Sequence, residues 1–290
     1  MRWTPGDVSG DIEDRRGDGG GGGGFNFGGA GLGLGGTIVL LILSVIFGRD
    51  FLGLFSGGGP ATVSTRSAPS GRVVESSQEK RAVQFVSFVL DDAQKVWGEV
   101  LPRQEGRSYR HAKLVLFRDV VQSACGMAES ATGPFYCPGD EKVYLDLGFF
   151  DELRERFGAP GEFAQAYVIA HELGHHVQKI LGVERQVRQL QGQNPGSRNA
   201  LSVRMELQAD CLAGVWGHST EERKIIDSSD VTAGLRAAAS IGDDRLQRMA
   251  GRSVSPESFT HGSSAQRVSW FRRGLERGEV NACDTFAPAR

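Results

Sequence analysis

Charge is missing from one long stretch of this chain: between Asp18 and Arg49 there is none. Glycine opens the gap, with an unbroken run over residues 19–24 that cannot pack a core. Cysteine is scarce, four residues at positions 125, 137, 211 and 283, and the lack of clustered spacing argues against a structural zinc site. Histidine is scarce too, six in 290 residues, so any patterned pair of them carries information. Neither sign of charge dominates, with 33 basic against 35 acidic side chains and a formal net charge of −2. No basic stripe or internal repeat is present, which argues against nucleic acid as a partner.

The uncharged stretch divides the chain. Residues 1–31 form a polar, then glycine-rich tail, and residues 32–55 contain a strongly apolar run at 32–47. With its flanking glycines that run is just long enough to span a bilayer of about 30 Å. A signal peptide fits less well, because about thirty residues precede the apolar core and no Ala-x-Ala site follows. A single transmembrane helix is therefore expected. Arg2, Arg15 and Arg16 before it, against Arg49 and Arg66 after it, lean slightly toward a cytoplasmic N-terminus. Residues 56–76 read as a flexible Gly/Ser/Pro/Thr tether, and residues 77–290 as the globular domain. All four cysteines fall in that domain; an even number beyond an anchor suits disulfides in an oxidising, extracytoplasmic compartment. Three pairings are possible. Cys125 with Cys137 closes a short loop, and Cys211 with Cys283 ties down the C-terminal tail; reduced core thiols are the alternative.

The most informative residues are Ala170-His171-Glu172-Leu173-Gly174-His175-His176-Val177-Gln178, inside a helix-compatible apolar run over residues 163–181. Residues four apart stack on one helix face, so His171 and His175 present two imidazoles to one point. That geometry suits Zn²⁺, with Glu172 beside the metal as general base. Gln178 and Leu181 stand where a third ligand on the same helix would need Gly and His, so the third ligand lies elsewhere. After the break at Asn194-Pro195-Gly196, apolar residues recur at helical spacing from Leu201 to Trp216, with Glu206 and Asp210 one turn apart beside them. Glu206 is assigned as third ligand and Asp210 as the acceptor that orients a ligating imidazole. Asp210 on the metal, or Glu184 as ligand, are the competing arrangements.

The chain resembles the neutral zinc metallopeptidase family, bacterial, membrane-anchored and zincin-like. The resemblance rests on residues 171–178, on Glu206-Leu207-Gln208-Ala209-Asp210-Cys211, and on Phe259-Thr260-His261-Gly262-Ser263-Ser264-Ala265-Gln266-Arg267. It extends to Gly133-Pro134-Phe135-Tyr136-Cys137-Pro138, Met1-Arg2-Trp3 and Glu13-Asp14-Arg15-Arg16-Gly17. It implies a zinc-dependent peptidase acting on protein or peptide substrates, and says nothing of which ones.

Helical spacing is expected over residues 83–97, 149–157 and 263–275, and strands over 113–117 and 143–147. Strands before a zinc helix and helices after it indicate an α+β zincin-like domain. The strand at 143–147 is either an exposed edge able to hold an extended substrate or a buried central strand. His261 either stabilises a tetrahedral oxyanion or merely sits in a turn where Thr260 or Ser263 caps the last helix. A zinc-binding but non-catalytic, membrane-tethered interaction protein is the alternative function; oligomeric state is left open.

Overall fold

The computed structural model describes residues 1–18, 75–130 and 133–287. The expected membrane span and tether lie outside them, and among the described residues no helix is long and apolar enough to cross a membrane. The architecture is α+β. A four-stranded sheet has the order β1 (Ile12–Asp14), β2 (Lys113–Phe117), β6 (Lys142–Asp146), β5 (Phe135–Cys137). The first three strands run parallel, and β5 is antiparallel to β6. A separate hairpin pairs β3 (Val120–Ser123) with β4 (Gly126–Glu129).

Strand β2 is apolar at almost every position because both faces of the sheet are covered. Leu114 and Leu116, with Val143 and Leu145 of β6, point into the main helical core. The alternate residues Val115, Phe117 and Tyr144 pack with Val121 and Ala128 of the hairpin. The strand near residue 143 is thus a central one, paired on both sides, and the exposed-edge reading of it is corrected. The edge belongs to β5, a three-residue strand too short to show a period in sequence.

Helix α1 (Ser77–Glu105) begins at Ser76, whose side chain accepts the Glu79 N–H, and ends at Gly106 in the left-handed region. It and α2 (Phe149–Glu155) flank α3 (Glu162–Leu181), whose Phe163, Tyr167, Leu173 and Val177 are fully buried. Gly182 stops α3 with φ 82°, donating its N–H to the carbonyls of Gln178 and Lys179. Then follow α4 (Val183–Gln193), α5 (Arg198–Glu222), α6 (Ser228–Ser240), α7 (Asp243–Met249) and α8 (Ser264–Arg277). Helices α5 and α8 meet at their glycines: a Cβ on Gly274 would fall 1.9 Å from the Cys211 carbonyl oxygen.

Two covalent ties match the pairing in which each disulfide closes its own region. Cys125–Cys137 joins the hairpin to the edge strand, and Cys211–Cys283 joins α5 to the C-terminal tail.

Residues 1–18 differ from the polar tail expected of them. Trp3 packs edge-on against Phe85 of α1 at 5.2 Å, and Ile12, Glu13 and Asp14 pair with Leu114, Val115 and Leu116. The segment reads as polar because its charges find partners far along the chain, as Glu13 does at Lys142 and Asp11 at Lys113.

Candidate metal centre

Helix α3 presents His171 and His175 one turn apart, their rings 4.9 Å between centroids. Helix α5 crosses it and brings Glu206 between them. One Glu206 oxygen lies 3.2 Å from His171 Nε2 and the other 3.5 Å from His175 Nε2. The three donors fall within 4.8 Å of one another. Tetrahedral zinc with bonds near 2.0–2.2 Å separates its ligand atoms by about 3.3–3.5 Å, and the contacts from Glu206 to the two imidazoles fall near that spacing, so this donor set suits that ion.

Each imidazole is held through its other nitrogen. His171 Nδ1 lies 2.9 Å from Asp210 Oδ1. The carboxylate can only accept, so Nδ1 carries a proton, and Nε2, which faces the Glu206 carboxylate, is the nitrogen that would give up its own proton to take a metal. His175 Nδ1 lies 2.8 Å from Gln178 Oε1. The Gln178 amide nitrogen donates to Met205 O at 2.7 Å and Gln208 Oε1 at 3.0 Å, which fixes its oxygen as the acceptor facing His175. Gln208 in turn donates to the carbonyl of Cys283. Both ligand-type histidines therefore expose Nε2 toward Glu206, the arrangement that outer partners enforce around metals.

Asp210 is fully buried, and the guanidinium of Arg267 grips it at 2.9 Å through both Nε and Nη2. The Tyr167 hydroxyl donates to it as well. Burial raises the Asp210 pKa, but Arg267 and His171 outweigh that and hold it below the usual carboxylate range. With Asp210 and Arg267 neutralising each other, Glu206 is left as the negative charge of the donor set. Burial pushes the Glu206 pKa up, and the facing histidines more than reverse this, holding it well below its ordinary value.

Glu172 stays outside the donor cluster. It is 8 % exposed and borders the same cavity as the three donors. Burial, reinforced by the Glu206 charge, pushes its carboxyl up to about 7 against the opposing pull of His171 and the Tyr136 backbone N–H. That N–H belongs to the edge strand, whose outer side has no strand paired to it among the described residues. His176 fastens this strand to α3. Its Nε2 donates to the Arg110 carbonyl at 2.8 Å and its Nδ1 accepts from the Tyr136 hydroxyl at 2.9 Å.

The cavity, about 390 Å³, runs from the donors to an apolar wall of Phe149, Phe157, Val168, Ile241 and Leu246. His261 lines it as well. The Asp243 carboxylate pins the turn that carries His261, accepting the N–H groups of residues 260, 261 and 262 at 2.7, 2.7 and 3.0 Å. Asp243 also lies 3.1 Å from His261 Nδ1. Burial lowers the His261 pKa, but Asp243 and Glu206 together raise it above its ordinary value. Ser263 is the cap of α8, in a reciprocal capping box with Gln266. The cap and the cavity-facing histidine are thus both present, on adjacent residues.

The structure gathers His171, His175, Glu206, Glu172 and His261 around one cavity, with Asp210 buried behind His171. Glu184 borders it too, but is paired with Lys179 and Arg188 and lies outside the donor cluster. Sequence spacing alone gives Gln178, Arg267 and Asp243 no role; a glutamine about one turn beyond His175 on a buried face is the available signal. His218 points away, its Nδ1 2.8 Å from the Leu275 carbonyl oxygen.

Comparison with known proteins identifies the family of the chain. A family model described as "Putative neutral zinc metallopeptidase" matches residues 1–286. The uncharacterized protein YpfJ of Escherichia coli K12 is 45% identical over 291 residues, covering 99% of each chain. The uncharacterized protein Rv2575 of Mycobacterium tuberculosis H37Rv is 42% identical over 207 residues, 67% of each chain. No solved structure gives a significant match. The chain belongs to the neutral zinc metallopeptidase family that this model describes.

Proposed function

We propose that the protein is a zinc-dependent endopeptidase, with His171, His175 and Glu206 holding the metal and Glu172 as general base. One observation carries the reading: three donors converge on an open cavity wall while the adjacent carboxylate faces the same cavity without joining them. A zinc site that only supported the fold would be closed by a fourth protein ligand. Bound there, Zn²⁺ supplies a Lewis acid that makes a water molecule acidic enough to lose its proton near neutral pH.

The chain's own groups do the rest. Glu172, with a pKa near 7, accepts the proton of the attacking water and returns it to the leaving amine. His261, oriented by Asp243, stands ready to donate to the oxyanion of the tetrahedral intermediate. The outer edge of β5, unpaired among the described residues, offers backbone groups to an extended substrate, which takes its place as an added strand beside Glu172. The apolar wall favours a large apolar side chain next to the scissile bond. The two disulfides support an oxidising compartment for the domain, and the apolar run at residues 32–47 supports attachment to a membrane.

Metal analysis and peptide-library cleavage on the purified full chain, beside its Glu172→Gln variant, test the reading. The wild type should hold about one zinc and cleave. Glu172→Gln should keep the zinc and lose about 10²–10⁴ in rate. A chain without zinc, or one whose cleavage survives Glu172→Gln at full rate, overturns it.

A further inference from the structure

Residues 14–18 and 75–79 meet at one spot. Strand β1 runs parallel to β2, and just beyond it the Arg15 N–H donates to the Leu116 carbonyl at 2.8 Å. Arg16 is buried, its side chain 4 % exposed, and its guanidinium binds Asp14, Glu75 and Glu79. Glu75 is the first described residue after the uncharged stretch, and Asp18 is the last before it. Asp18 is itself held by its N–H to the Arg15 carbonyl, so residues 18 and 75 are bound to the neighbouring residues Arg15 and Arg16.

A polypeptide that crosses a bilayer once delivers its two ends to opposite faces, about 30 Å of hydrocarbon apart. Strands β1 and β2 share backbone hydrogen bonds and cannot be so separated. Exchange of β1 between copies gives no escape, because every copy inserted the same way leaves its N-terminus on the far side. Two crossings need a second apolar stretch of about 20 residues. After Phe47 the sequence offers only Phe51-Leu52-Gly53-Leu54-Phe55, bounded by Arg49, Asp50, Arg66 and Arg72 amid Gly, Ser and Pro. Two of the three arginines counted toward a cytoplasmic N-terminus are committed elsewhere: Arg15 to Glu13 and Arg16 to its three carboxylates. They are part of the fold.

We propose that residues 1–18 and the peptidase domain lie on the same side of a lipid bilayer. The domain face bearing Asp18 and Glu75, where residues 14–18 and 75–79 meet, is turned to that bilayer. The protein is then a one-sided membrane enzyme, a form open to apolar segments that seat in the interface. This rests on the membrane attachment proposed above and is independent of the zinc chemistry.

Val8 and Met249 are 54% and 44% exposed and lie on the N-terminal segment and on α7. The described cysteines are all in disulfides, so a thiol added at either position is the reactive one. Full-length Val8→Cys and Met249→Cys chains, produced in cells, are treated with a membrane-impermeant maleimide before and after the membrane is opened. Both should label together, before opening or only after it. Labelling of one before and the other only after overturns the shared side. Leu41→Arg with Leu43→Arg should move the chain from the membrane to the soluble fraction with peptide cleavage unchanged. A wild type already soluble, or a double variant still on the membrane, overturns the bilayer-facing surface. Loss of cleavage in the wild type itself would fault the peptidase reading alone.

Discussion

Gly174 of α3 and Ala209 of α5 stand so close that a Cβ on Gly174 would lie 2.9 Å from the Ala209 carbonyl oxygen. The contact falls within a turn of each of His171, His175 and Glu206. It lets the carboxylate from one helix reach between two imidazoles of the other. Glycine inside a helix costs about 0.8–1.0 kcal/mol relative to alanine. Here that cost is offset by an approach no larger residue allows.

Gly174→Ala should therefore raise the intrinsic helix propensity and still weaken the centre. The backbone of α5 must retreat by a few tenths of an ångström, carrying Glu206 away from both nitrogens. Zinc affinity, measured by competition with a chromophoric chelator, should fall about tenfold or more, as when ligand orientation is disturbed elsewhere. Circular dichroism should show the helices intact. An unchanged affinity would mean that the closeness of these helices does not set the donor geometry.

Much of this centre was legible because helical period is a strong signal. His171 and His175 declare their shared face, and Glu206 and Asp210 do the same on an apolar stripe. What failed to show were groups whose role depends on contact across the chain. Gln178 earns its place by bonds to Met205 and Gln208, nearly thirty residues on. Arg267 meets Asp210 from a helix that carries three further arginines, so nothing in its sequence marks this one out. Strands β1 and β5, three residues each, are too short for alternation to register. The charges in and beside β1 read as a polar tail because their partners, Lys113 for Asp11, Lys142 for Glu13 and Glu79 for Arg16, lie far away in sequence. A chain beginning near residue 77 would consequently lack one strand of the sheet.

The pair formed by Asp210 and Arg267 has a measurable weight. Both side chains are almost wholly buried, so neutralising one leaves the other charged without a counter-ion. Asp210→Asn should destabilise the fold by about 3–5 kcal/mol, the usual result of breaking a buried pair from one side. It should also loosen zinc, since His171 loses the carboxylate that holds its Nδ1 proton. Adding Arg267→Met removes the stranded charge and should recover stability while leaving the zinc defect. Recovery of both together would indicate that Asp210 acts on the fold and not on the imidazole.

The docking of β1 should be sensitive to acid, and the sign can be worked out from its carboxylates. At Asp14 the bonds from Arg16 outweigh burial, and its pKa is lowered from 3.8. At Asp11 and Glu13 burial pulls upward, but Lys113 with His111, and Lys142 with Arg15, win and lower both. The docked strand thus binds fewer protons than the free one at mildly acidic pH. Docking is then fully supported above about pH 5, where the free carboxyls are already ionised. It weakens as pH falls through the ordinary carboxylate range toward the lowered values. NMR protection of the amides of residues 12–14 should be constant from pH 7 down to about 5 and drop below about 4. Replacing Glu13 and Asp14 by Gln and Asn should flatten that drop and lower the protection at neutral pH. A strand whose protection in the wild type does not change between pH 7 and 3 would be held by its backbone bonds and Trp3 alone, with the ion pairs contributing nothing.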